Sequence, residues 1–189
     1  MSKTPPLHPS VTGYDFSHRK PDGDDRLRMI CNGCGFVNYV NPKIVVGAVA
    51  EWDGKILMCR RAIDPRKGYW TLPAGFMEEG ETTEQGALRE AREEANADLE
   101  ILSLLAVYSI PRISQVQLMY KARLLSKNVS AGVESLEVAF FGWDEIPWKD
   151  IAFPSVTWAL NHYRQVRDIV SYPPFVNPEG ENGNFPPGF

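Results

Sequence analysis

Cysteine and histidine are scarce in this chain, three of each among 189 residues. An odd, small number of cysteines does not make the disulfide framework that holds small secreted domains together. Long apolar runs are also missing. None approaches the length of a bilayer-spanning helix, and the N-terminus has neither a basic region nor an apolar stretch of the signal-peptide kind. There is no Lys/Arg cluster, and 20 basic against 24 acidic side chains leave a formal charge of −4. That balance argues against a nucleic-acid backbone as the main partner. What remains, 43% hydrophobic and 23% charged residues, is the composition of a globular protein able to bury a real core. The expectation is a cytoplasmic enzyme with no membrane and no nucleic-acid partner.

The most informative stretch runs from Gly75 to Ala97 and reads G-F-M-E-E-G-E-T-T-E-Q-G-A-L-R-E-A-R-E-E-A-N-A. It joins a turn containing Gly75 and Gly80 to a helix dense in acid, with Thr82 and Gln85 at capping-box spacing. On that helix Glu90, Glu93 and Glu94 stand at i, i+3 and i+4, within about 100° of one another. Leu88, Ala91 and Ala95 take the opposite side, so one face is expected to pack while the other gathers negative charge. Gly86, one turn before Glu90, is expected to leave room for a ligand. Carboxylates crowded on one face repel, and a hard divalent cation with oxygen ligands is their natural neutraliser. A solvated acidic helix with an Arg89–Glu93 pair is the alternative, but it leaves the two glycines unexplained.

Gly75, Glu81, Arg89, Glu90, Ala91, Glu93, Glu94 and Ala97 stand at the spacing G-x5-E-x7-R-E-U-x-E-E-x-G-U, and on these residues the chain resembles the Nudix family. Asn96 replaces the family's glycine at the helix end, where asparagine is the next best residue for a left-handed conformation. The resemblance implies an α/β fold, an α/β/α sandwich with a mixed sheet. It also implies metal-dependent hydrolysis of a nucleoside diphosphate linked to another moiety. Glu90, Glu93 and Glu94 would hold Mg2+ or Mn2+, and Arg89 and Glu81 would pair to fix helix and loop. Glu90, Glu93 and an acid of a later loop are the implied catalytic groups. Of the loop acids Glu134 and Glu137, Glu137 is favoured as base or additional metal ligand.

Elsewhere the chain divides into an N-terminal segment, residues 1–42, a main domain over 43–171 and a Pro/Gly-rich tail, 172–189. Cys31-Asn-Gly-Cys34-Gly is half of a zinc ribbon. A second C-x-x-C is lacking, and upstream only His8 and His18 could complete the site. The two readings are a Zn2+ site that includes Cys31 and Cys34, and a metal-free hairpin with reduced thiols.

Ile44–Trp52 and Lys55–Arg60 read as strands joined by the Asp53-Gly54 turn. Cys59 is expected in the core. Arg60 and Arg61 either meet phosphate or end the strand in solvent, and Tyr69 and Phe76 are candidates to stack on a nucleobase. Strands are also expected over Leu99–Ile110, Val116–Leu125 and Val138–Trp143. The partial alternation in Gln115–Tyr120 sets one face toward a cleft or solvent. A last helix begins at Pro154-Ser155 and keeps apolar spacing through Val166 and Val170. The tail is expected to be an extended arm or disordered, able to lie on the partner of a homodimer.

The run from Cys31 to Gly47 resembles Nudix members that carry an N-terminal zinc-ribbon-like segment. R-K-G-Y-W-T-L-P-A-G-F, E-S-L-E and I-A-F-P-S extend that likeness toward the plant chloroplast ADP-ribose/FAD pyrophosphatases. The implied substrate is therefore ADP-ribose or FAD, with AMP released. NADH pyrophosphatases share the order of segments, but their S-Q-P-W-P-F-P-x-S motif is only echoed by Pro147-Trp148 and Phe153-Pro154-Ser155. A catalytically spent nucleotide-binding module is the reading from outside the enzymes.

Overall fold

The computed structural model describes residues 15–184. They fall into two compact units that meet between Asn41 and Pro42. His8 and Pro186-Pro187 lie outside the described residues.

The smaller unit is a three-stranded antiparallel sheet of β1 (Phe16–Arg19), β2 (Arg28–Cys31) and β3 (Val37–Asn38). Cys31 ends β2, and its carbonyl accepts the Gly35 N–H at 2.9 Å while its own N–H donates to Phe36 O at 2.9 Å. These bonds close a knuckle-shaped turn. His18 lies on β1 opposite Met29.

The larger unit is built on a seven-stranded mixed sheet. Its strands are β4 (Lys43–Trp52), β5 (Lys55–Arg61), β6 (Trp70–Thr71), β7 (Ala74–Phe76), β8 (Leu99–Ile110), β9 (Gln115–Leu124) and β10 (Ser135–Phe141). Their order is β10-β5-β4-β9-β8, with β6 on β5 and β7 on β4; β4 and β9 run parallel. Helix α1 (Thr83–Ala95) covers one face and α2 (Pro154–Val166) the other.

Strict alternation makes the two cores. Val46, Ala48 and Ala50 of β4 and Leu57 and Cys59 of β5 meet Ala87, Ala91 and Ala95 of α1. Val49, Ile56, Met58 and Met119 face Trp158, Ala159, Leu160 and Tyr163 of α2. The alanine face of α1 lets helix and sheet approach closely. The Asp53-Gly54 turn has both residues at positive φ, 50° and 76°, the type I′ geometry that suits a two-residue hairpin.

One expectation changes. The last helix stops at Val166, and Val170 is 95% exposed rather than on its apolar stripe. The buried Lys121 ammonium explains the end: it donates to the carbonyls of Val166, Arg167 and Ile169 at 2.8, 2.7 and 3.1 Å, gathering acceptors at and just beyond the C-terminus of the helix. The described part of the tail, in turn, lies on its own chain. Phe175 exchanges backbone bonds with Leu105 and Val107 of β8, and Asn177 bonds both the N–H and the carbonyl of Ser109 at 2.8 Å. His162 stacks on Phe175 with ring centroids 4.2 Å apart. Among the described residues no helix is long and apolar enough to cross a membrane.

Lys121→Met removes the ammonium shared by three carbonyls at the end of α2, of which Val166 O alone keeps a backbone donor, the Ile169 N–H, and should lower unfolding stability by about 2 kcal/mol. Urea melts of wild type and variant measure it; equal midpoints would show that the cap carries no stability.

Candidate active site

Helix α1 starts as its sequence dictates. Thr82 Oγ1 accepts the Gln85 N–H at 3.2 Å, and Gln85 Oε1 accepts the Thr82 N–H at 2.8 Å. It ends on Asn96 in the left-handed region, φ 49°. The Asn96 amide donates to Ser130 O, Ser130 N–H to Ala95 O and Gly132 N–H to Glu94 O. The loop after β9 is thereby pinned to the end of α1, and this brings Glu134 beside the helix glutamates.

The three glutamates do not share one solvated face. Glu90 and Glu94, one turn apart, are only 8% and 6% exposed, whereas Glu93 stays at the rim. The packing face of α1 is wider than its alanines because the backbone of β7 offers space and a donor. Glu90 fills the position that a side chain on Gly75 would take, and Glu94 accepts the Ala74 N–H at 3.0 Å. Gly86 leaves no room for a ligand: an added Cβ would stand 2.6 Å from Glu81 Oε1 and 2.7 Å from Val46 Cγ2, so its missing side chain serves close packing.

Arg89 organises the charges. It donates to both carboxylate oxygens of Glu81 (2.8 and 3.0 Å), to Glu90 Oε1 and Glu93 Oε2 (2.8 Å each), and to Phe76 O (2.9 Å). That bidentate pairing, helped by the Glu78 N–H, holds the Glu81 carboxyl down at about 2. Burial pushes Glu94 up to about 8, with the neighbouring charges of Glu90 and Glu134 adding to the rise. Burial also raises Glu90, against the opposing pull of Arg89. Gly80 turns the loop between β7 and α1 at φ 85°, a conformation that favours glycine.

These groups form one end of a cavity of about 910 Å3. Glu90, Glu93, Glu94, Arg89 and Gly75 line it, together with Arg61, Phe76 and Glu134. Arg61 is steadied by its Nε–H to Pro65 O at 2.9 Å and by the Phe153 ring 5.1 Å from its guanidinium. Arg60, Tyr69 and Glu137 are not among the lining residues. Glu137 falls on β10 after a bulge and pairs with Arg60 at 3.6 Å, and Tyr69 lies under the Arg66 guanidinium at 4.0 Å. The far end is lined by Ile110, Ile113, Gln115, Gln117 and Met119, of which only the alternation around Gln115 and Gln117 gives a sign in the sequence.

Among the described residues no three His, Cys, Asp or Glu side chains form a ready metal cage; Arg89 holds Glu90 and Glu93 in this arrangement. The donor chemistry nonetheless fits a hard divalent cation: the carboxylate oxygens at the cavity end are crowded, and two of the acids are buried. The Cys31–Cys34 knuckle is different. A structural zinc site needs four ligands; the knuckle has two thiols, and no group of three or more Cys, His, Asp or Glu side chains forms among the described residues. Backbone N–H groups of Cys34 and Gly33 hold the Cys31 thiol below its ordinary value.

Comparison with known proteins agrees with this geometry. The NUDIX domain profile matches residues 41–159, and the Nudix N-terminal zinc-ribbon profile matches residues 13–40. The chain belongs to the NUDIX family and is a hydrolase of it. A NUDIX hydrolase of Nitrosomonas europaea with a crystal structure is 48% identical, with a TM-score of 0.82 over 89% of this chain and 97% of that one. An ADP-ribose pyrophosphatase of Methanocaldococcus jannaschii is 34% identical over 138 residues, 71% of this chain and 76% of that protein. The NAD-capped RNA hydrolase NudC of Haemophilus influenzae is 32% identical over 45% of this chain, a match spanning 33% of that protein.

Gly75→Ala puts a methyl group into the place of the Glu90 carboxylate. The variant should fold, by circular dichroism, yet lose about a hundredfold in kcat, the scale of an ångström-sized misplacement at a reacting centre. Unchanged turnover would show that the seat of Glu90 is unimportant.

Proposed function

We propose that this hydrolase cleaves the pyrophosphate bond of ADP-ribose to AMP and ribose 5-phosphate, and that it accepts FAD as a second substrate of the same class. One observation carries the reading: the carboxylate cluster is continuous with a cavity whose far end has apolar walls and amides. A diphosphate can therefore lie at the acids while a nucleoside occupies the remainder. The ADP-ribose pyrophosphatase relative, which the chain matches over 76% of that protein, supports the same choice.

Glu90, Glu93 and Glu94 would hold Mg2+ or Mn2+. When bound, the cation neutralises charge on the diphosphate oxygens and lowers the proton affinity of water. The chain's own residues do the rest. Arg89, tied to Glu81, fixes the direction of the helix carboxylates against the glycine turn. Arg61, facing the same end, offers guanidinium N–H groups to a phosphate oxygen. Glu134 accepts the proton of the attacking water at a carboxylate oxygen. Its place in the cavity wall, close enough to raise both Glu90 and Glu94, favours it over Glu137.

The test is AMP release from ADP-ribose, FAD and NADH with Mg2+ or Mn2+. ADP-ribose and FAD should be cleaved in preference to NADH, and EDTA should abolish turnover. Glu134→Gln should lower kcat by at least about a hundredfold, with a smaller effect for Glu137→Gln. Absence of AMP from every substrate would overturn the reading, and the reverse order of the two variants would return the base to Glu137.

A further inference from the structure

The far end of the cavity, left above to the nucleoside, carries two polar side chains in a fixed relation. Successive residues of β9 alternate: Leu118 and Tyr120 pack toward α1, whereas Gln115, Gln117 and Met119 line the cavity. Gln117 Nε2 donates to Gln115 Oε1 at 3.2 Å, which couples the two amides side by side. Whichever way both amides are turned, that single bond leaves the pair one carbonyl oxygen and N–H groups to offer a ligand. Val45, Ile110, Ile113 and Met119 surround them with apolar surface.

The sheet register places this pair relative to the acids. Gln117 is the ladder partner of Val45, and Val45 is the ladder partner of Phe76; all three line the cavity. Two strand spacings separate Gln117 from Phe76, about 10 Å, and the residue before Phe76 is Gly75, where the Glu90 carboxylate sits. A diphosphate held at the glutamates thus has a ribose length between it and the amides.

We infer that Gln115 and Gln117 form the nucleobase subsite, reading adenine through one accepted and one donated hydrogen bond. The 6-amino group donates to a glutamine carbonyl oxygen, and the adjacent ring nitrogen accepts from a glutamine N–H. Aliphatic walls suit the faces of a flat base, and adenine carries a donor next to an acceptor on one edge, the complement of an amide. This assignment rests on the ADP-ribose reading above and adds what selects the nucleoside.

The experiment compares kcat/KM, with Mg2+, for ADP-ribose and for its analogue in which the 6-amino group is replaced by hydrogen. Wild type should prefer ADP-ribose by about tenfold. Gln117→Ala should lower kcat/KM for ADP-ribose by a similar factor, through KM more than kcat, and should remove the preference. Gln115→Ala should act in the same direction, and thermal melts confirm that the variants are folded. A wild type that treats both compounds alike, or a variant that weakens both equally, as contacts to ribose hydroxyls would, overturns the base assignment while leaving ADP-ribose hydrolysis standing. Failure to cleave either compound overturns the ADP-ribose reading, and the subsite with it.

Discussion

Two carboxylates one helical turn apart are buried against the backbone of a three-residue strand, and most of the candidate site follows from keeping them there. Burying Glu90 and Glu94 is costly unless donors or charges answer them. The protein provides a backbone N–H from Ala74 for one and a shared guanidinium, Arg89, for the other. Arg89 in turn must be held, and Glu81 holds it with both oxygens. Gly75 has to lack a side chain because the Glu90 carboxylate occupies that space. The spacing of glycine, acid, arginine and paired glutamates is thus one mechanical arrangement, in which each residue type is required by its neighbour.

The remainder of the larger unit gives this arrangement a rigid seat. Alanines on α1 and on β4 allow helix and sheet to approach closely. On the other face, α2 is fixed at its C-terminus by Lys121 from β9. The loop after β9 is tied to the end of α1, so the same strand that carries the amide pair leads into the segment that presents Glu134. Cleavage chemistry and substrate selection lie at two ends of one cavity, joined through the register of β7, β4 and β9.

The sequence was legible where a local rule decides the outcome. The capping box of Thr82 and Gln85, the left-handed Asn96, the Asp53-Gly54 hairpin and the packing of Ala91 and Ala95 all depend on neighbours a few residues apart. The α/β/α layering was implied by the family resemblance, and the fold agrees with it. What could not be read depends on distant contacts. A helical wheel places three glutamates together, but only β7 makes Glu90 and Glu94 an inner pair and leaves Glu93 outside. Gly86 looked like space for a ligand until Val46 and Glu81 filled it. Of Glu134 and Glu137 the sequence favours Glu137, and a bulge in β10 sends that residue to Arg60. The end of α2 is set by a lysine 45 residues away in the chain, which no helical pattern reveals.

The central claim is that a hard divalent cation completes the buried glutamate cluster. It is tested most directly by the thermal midpoint of the full chain with and without Mg2+, an ion for which the Cys31 and Cys34 thiols are poor ligands. A ligand that binds the folded state at about a hundred times its Kd adds about 2.7 kcal/mol. Wild type should therefore show a rise in midpoint that EDTA reverses, and Glu94→Gln should show little of it. No rise in the wild type, or an equal rise in the variant, would contradict the account.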